Sequence, residues 1–131
     1  MEMPILLNVT PVYVAALGLI FIVLTMRAGL YRVKTKIFIG VGDDSEMLRR
    51  VRGQANFTET VPIAMSLLVI MELLGASDIW LHFLGGALLV GRIAHYLGLT
   101  LLAPVSFRAV GMTVTLVTIL ISSIWVLSSV L

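Results

Sequence analysis

Residues 80–102 read WLHFLGGALLVGRIAHYLGLTLL, an apolar run long enough to cross a bilayer as a helix, for which about 20 residues are needed. Arg92 and His95 interrupt it. A guanidinium at the centre of a membrane helix costs about 3 kcal/mol on insertion scales. One that is kept there is paired, faces a wet cavity, or both. Arg92 lies twelve residues before Pro104, about 18 Å of helix at ~1.5 Å per residue, which puts it near mid-membrane.

Three more apolar runs flank this one, over about 9–26, 57–74 and 109–131. The expected fold is an all-α membrane protein, a four-transmembrane-helix bundle in one domain over 1–131. Composition agrees. Hydrophobic residues make up 60% and charged residues 12%, against about 45–50% and about 25% in soluble domains, an excess that a soluble chain of this size has no core to hide. The absence of cysteine excludes disulfides, thiolate metal ligands and a protein thiol nucleophile. Two histidines, His82 and His95, are too few to suggest a metal site. The start, Met1-Glu2-Met3-Pro4, lacks the basic region of a cleavable signal, so the first span is expected to be retained.

Seven of the nine basic residues fall between Arg27 and Arg52, and Arg108 lies in the loop after the third span. Basic loops stay cytoplasmic. Loops 27–56 and 103–108 are therefore expected inside, and both termini on the opposite side. Nucleic acid is not an expected partner, because no soluble segment remains to carry a basic surface.

Helix two is expected to start near residue 44, ahead of the membrane. Gly40-Val41-Gly42 is a turn signal, and Asp43 with Glu46 has capping-box spacing. Pro62 is expected to kink this helix or interrupt one of its bonds. Pro11 sits near the start of helix one, where a missing N–H is tolerated. In helix three, Ala87, Gly91, Ala94 and Gly98 form a stripe of small residues on one face, the pattern of a tight helix contact in lipid.

At 100° per residue, Arg49, Arg52, Asn56 and Glu59 fall within a sector of about 80° on helix two. Arg49 also suits contact with lipid phosphates. Asn56 and Glu59 lie at or inside the apolar boundary, and Glu59 is the expected partner of Arg92 across helices. Alone, His95 reads as a satisfied core histidine; its place one turn from Arg92 makes it a site candidate, with Tyr96 beside it. These groups suit a small zwitterionic peptide. Arginine binds carboxylates bidentately and stays charged when partly buried, a glutamate receives an ammonium, and an asparagine bonds amides. Glutathione has this pattern.

The run Arg52-Gly53-Gln54-Ala55-Asn56-Phe57-Thr58-Glu59-Thr60-Val61-Pro62 resembles the signature of the membrane-associated proteins in eicosanoid and glutathione metabolism, the MAPEG family. Gly53 stands where alanine is more usual. Gly91-Arg92-Ile93-Ala94-His95 resembles the third-helix motif of the prostaglandin E synthase branch, and Ala103-Pro104 also fits. The likeness covers most of the chain and is closest to compact bacterial members, which implies an inner-membrane location. It further implies a homotrimer with glutathione bound between subunits, held by Arg52, Asn56, Glu59, Arg92 and His95, with Tyr96 near and Arg32 a further carboxylate partner. In catalytic relatives an arginine soon after Ala-Pro polarises the thiol. Here Val105-Ser106-Phe107 precede Arg108, so Ser106 or Arg108 takes that place. An aromatic expected further along helix three is replaced by Leu99.

The expected function is glutathione transferase or peroxidase chemistry, in which an activated thiol meets a lipophilic electrophile or peroxide arriving from the bilayer. The alternative is a non-catalytic trimer that binds glutathione or anionic lipid. A four-helix drug exporter needs a carboxylate in its first helix, and none lies between Val9 and Met26.

Overall fold

The computed structural model describes residues 7–131 and is all-α there. Four helices follow in order: α1 (Thr10–Thr35), α2 (Ser45–Leu73), α3 (Asp78–Leu99) and α4 (Ser106–Val130). Glu2, on which the outward reading of the N-terminus leans, lies outside the described residues. The helices α1, α2 and α4 are long and apolar enough to cross a membrane. With 22 residues, about 33 Å of rise, α3 is a fourth helix that does not meet the same apolarity, because His82, Arg92 and His95 interrupt it. It packs against all three others.

The outer surface is apolar. Leu19, Ile22, Ile63, Phe83, Leu120 and Ile124 all stand exposed on the helices, the reverse of a soluble bundle. This is an integral membrane protein. The core runs along the bundle axis through Leu17, Leu24, Phe57, Leu68, Leu84 and Leu88.

The helix ends show how local chemistry sets the frame. Pro11 lies in the first turn of α1. Just ahead of it, the Glu72 carboxylate at the far end of α2 accepts from the backbone N–H of Val9 (2.7 Å) and Thr10 (2.8 Å), from that of Asn8, and from the Thr10 hydroxyl. A side chain 62 residues away thus satisfies the orphan donors that every helix start leaves. The cap of α2 falls on Asp44 rather than Asp43. Asp44 is extended, and its Oδ1 accepts from the N–H groups of Glu46 and Met47, both at 2.9 Å. Glu46 pairs with Arg50 one turn on instead of closing a capping box. α2 then runs unbroken through Pro62.

α2 ends on Gly75 at φ +85°, with Ala76 N–H bonded to Met71 O, the left-handed stop that glycine favours. α3 ends with the same bond pattern, Leu102 N–H to Leu97 O, but with Leu101 at φ +61°, which costs a side-chain-bearing residue about 1–2 kcal/mol.

The small residues of α3 seat α4. A methyl group on Gly111 would lie 2.5 Å from His95 N and 2.8 Å from its Cα, and against the carbonyl of Gly91; one on Gly98 would meet the backbone of Phe107 at 3.0 Å and the N of Arg108. Only hydrogen fits, so the two backbones touch. The stripe expected on α3 is a helix contact at Gly91 and Gly98, and Gly111 on α4 is its unforeseen counterpart.

Candidate functional site

Because α3 and α4 meet backbone to backbone, Arg92 and His95 lie beside the start of α4. Arg92 is 2% exposed. Its Nη1 donates to Asn56 Oδ1 at 2.7 Å and to Thr60 Oγ1 at 3.0 Å. Its Nη2 and the Asn56 amide both lie 3.9 Å from the Met112 sulfur, a weak acceptor. The expected partner was Glu59, and the structure corrects this. The buried row of α2 runs Gly53, Phe57, Thr60, Ala64 and Leu68. Glu59 lies 100° round from Thr60 and stands exposed. Among the described residues the one ion pair is Glu46–Arg50. Arg92 is held by neutral dipoles and keeps its charge uncancelled.

His95 Nδ1 lies 3.0 Å from the carbonyl of Arg108. A carbonyl only accepts, so in the neutral ring Nδ1 carries the proton and Nε2 is left an acceptor. Nε2 is buried and has no partner among the described residues, and the same is true of Arg92 Nε. These two orphans, three residues apart on α3, are the kind of unsatisfied buried groups that mark a site.

Asn56, His95, Arg108 and Met112 line a groove of about 360 Å³ between α2, α3 and α4, with Arg92 behind Asn56. Small-molecule sites commonly span ~300–1,000 Å³. The structure thus brings Asn56, Arg92, His95 and Arg108 together. Five other candidates lie elsewhere. Arg32 donates from Nη1 to the carbonyls of Ile37 (3.0 Å) and Gly40 (2.7 Å), tying down the loop after α1. Arg52 and Glu59 stand on the exposed side of α2, and Ser106 is exposed at the start of α4. Tyr96 turns toward α2. A methyl group on Gly53 would lie 2.8 Å from its ring, which explains glycine where alanine is more usual.

Two contributors escaped the sequence reading. Thr60 was legible as a polar member of an otherwise apolar row. Met112 carried no signal, since a methionine in an apolar helix is ordinary filling.

The chain is thus a four-helix membrane protein with a buried arginine bound to an asparagine on the neighbouring helix, beside a polar groove. The chain belongs to the MAPEG family, whose model matches residues 10–128. It is 37% identical over 67 residues to the inner membrane protein YecN of Escherichia coli K12, and equally to that of strain O6:H1. The match spans about half the length of these curated relatives, 51% of each and 51% of this chain.

Proposed function

We propose that this protein is a glutathione-binding member of its family, located in a bacterial inner membrane, which activates the thiol toward a lipophilic electrophile or peroxide. The supporting observation is the Arg92–Asn56 pair at 2.7 Å behind a groove that also carries His95 and Arg108. Glutathione supplies the thiol; the chain supplies cations and amide groups around it. Among the described residues the Arg108 guanidinium makes no side-chain hydrogen bond, and it stands in the first turn of α4, which holds no acidic residue. The helix dipole and the guanidinium there both favour an anionic sulfur.

The donor set within one subunit fits part of the tripeptide. Asn56 and the His95 ring suit amide groups and Arg108 the sulfur, whereas the carboxylate for the ammonium, Glu59, faces outward with Arg52. Glu59 lies on a helix whose outer face meets lipid, where a charge is expensive. A homotrimer in which a neighbouring copy covers that face answers both points, because it hides the charge and completes the ligand shell. The basic loops 27–56 and 103–108 face the cytoplasm in this reading, which follows from their arginines and lysines.

The test is glutathione titration into detergent-solubilised protein, followed by conjugation of a model electrophile. Binding is expected in the wild type and is lost in Glu59→Gln, while Arg108→Ala keeps binding and loses conjugation. Wild-type rates equal to the uncatalysed background across several electrophiles remove the enzyme reading, and absence of any binding removes the thiol reading.

A further inference from the structure

A second polar site lies at the basic end of the bundle, away from the groove at His95. Arg27 from α1 and Arg49 and Arg50 from α2 line a small pocket of about 130 Å³ with Glu46, closed by Thr100 and Leu102 from the end of α3. Arg50 is fully occupied. It pairs with Glu46, donates to the carbonyl of Arg27 at 2.9 Å, and lies over the Tyr31 ring at 4.5 Å. Arg27 and Arg49 are less so: Arg27 lies over the Tyr96 ring at 5.7 Å, but among the described residues neither donates a side-chain hydrogen bond, and the Nε of each is buried without a partner. The one carboxylate in the pocket is already taken by Arg50. Asp44, the next acid along, is held by Tyr31 and by the N–H groups that it caps. Two half-buried guanidinium groups therefore lack an acceptor, and groups of this kind are costly to leave unmet.

Arg27 belongs to a second cavity as well. An apolar groove of about 300 Å³ runs between α1 and α3, lined by Leu19, Val23, Ile93 and Leu97, and Arg27 closes its end. From Leu19 to Arg27 is about 12 Å of helix. An oily trough thus opens onto three arginines whose one carboxylate in the pocket is taken by Arg50, at the end of a membrane span. We infer that this pair of cavities holds an anionic phospholipid, with its phosphate against Arg27 and Arg49 and an acyl chain along the trough. Its surroundings in the bilayer are as apolar as the trough, so the tail gains little from entering. Selection rests on headgroup charge, worth about five-fold in affinity per arginine near the surface. This inference does not depend on the thiol reading.

The experiment is native mass spectrometry of the full chain, purified with equal amounts of phosphatidylglycerol and phosphatidylcholine bearing the same acyl chains. Phosphatidylglycerol is expected to be retained preferentially. Arg27→Gln and Arg49→Gln each reduce that preference about five-fold, Ile93→Trp lowers the total lipid retained, and Lys34→Gln, on an exposed residue outside the pocket, changes nothing. Equal retention of the two lipids in the wild type overturns the inference. So does a loss in Lys34→Gln as large as that in Arg49→Gln, which would mean general surface charge. Displacement of phosphatidylglycerol by millimolar inorganic phosphate, with Ile93→Trp silent, would mean a site for free anions and also overturns it. A second copy seated in the trough would leave no lipid bound and overturns it equally. Where Arg27→Gln does not fold, Arg49→Gln and the wild-type ratio measured against ionic strength carry the test.

Discussion

The seam between α3 and α4 and the flanks of α1 are built on opposite plans. At the seam, Gly91, Gly98 and Gly111 let two backbones touch, and a single methyl group on Gly98 or Gly111 would collide with main-chain atoms. Along α1, Gly18 has nothing within 4 Å of where its methyl would stand, and troughs of about 300 and 320 Å³ lie on either side. α1 is pinned mainly near its ends, by Glu72 and the Tyr13–His82 contact at one and by Arg50 and Gln54 at the other. Rigid packing sits where His95 must meet the start of α4, and looseness sits where apolar molecules of the bilayer have access. Positional accuracy for chemistry is gained from backbone contact, which has no rotamers to vary.

The sharpest way to break this contrast is Gly111→Ala. Its methyl meets His95 N and Cα, atoms that cannot swing aside, so overpacking should cost about 1–3 kcal/mol or more and separate His95 from Arg108. A thermal midpoint in detergent within a degree of wild type would show the seam to be softer than it looks. Gly18→Ala is the matched control on α1 and should stay within about 0.5 kcal/mol of wild type.

Arg92→Met comes next and separates stability from binding. Removing the guanidinium strands Asn56 and Thr60, at about 1–3 kcal/mol for an unmet buried group, but also relieves a buried charge costing about 3 kcal/mol. The two offset, so the melting temperature should move less than in Gly111→Ala. Glutathione affinity should fall about ten-fold, because Asn56 loses the charge-assisted bond that holds its side chain at the groove. Equal affinity in titration would remove Arg92 from the site.

The smallest effect concerns the loop end of α2. Bonds from the Met47 N–H, the Tyr31 hydroxyl and the Glu46 N–H, with the field of Arg49, hold the Asp44 carboxyl below its ordinary value of 3.8. A depressed carboxylate contributes stability above its unfolded value and loses it as pH falls through the folded one. Asp44→Ala should therefore melt below wild type at neutral pH, and the gap should close below about pH 4. A gap that stays constant down to pH 3 would show that Asp44 acts only by shape.

Much of this was readable from residue order. Helix composition and the alternation of basic and non-basic loops announce a membrane bundle, because the bilayer demands long apolar helices. Spacing and family likeness group Asn56 and Arg92 in one site, but they name Glu59 as the partner of Arg92, which in the structure bonds Asn56. What failed was side-chain direction. Arg49, Arg52, Asn56 and Glu59 share a sector on a helical wheel, yet the sector straddles the edge of the buried row, so Asn56 faces α3 while Arg52 and Glu59 face outward. A wheel gives relative angles and not the absolute one, which packing sets. Thr60, Met112 and the Gly111 contact are legible only once the neighbouring helix is in place.

Glu72 carries a consequence for how the chain is made. During synthesis α1 emerges first, and the N–H groups at its start have no carboxylate until the second hydrophobic segment has been threaded back across the bilayer. The insertion of the hairpin of α1 and α2 is thus completed from its far end, and the first turn of α1 is finished by a residue translated some sixty codons later.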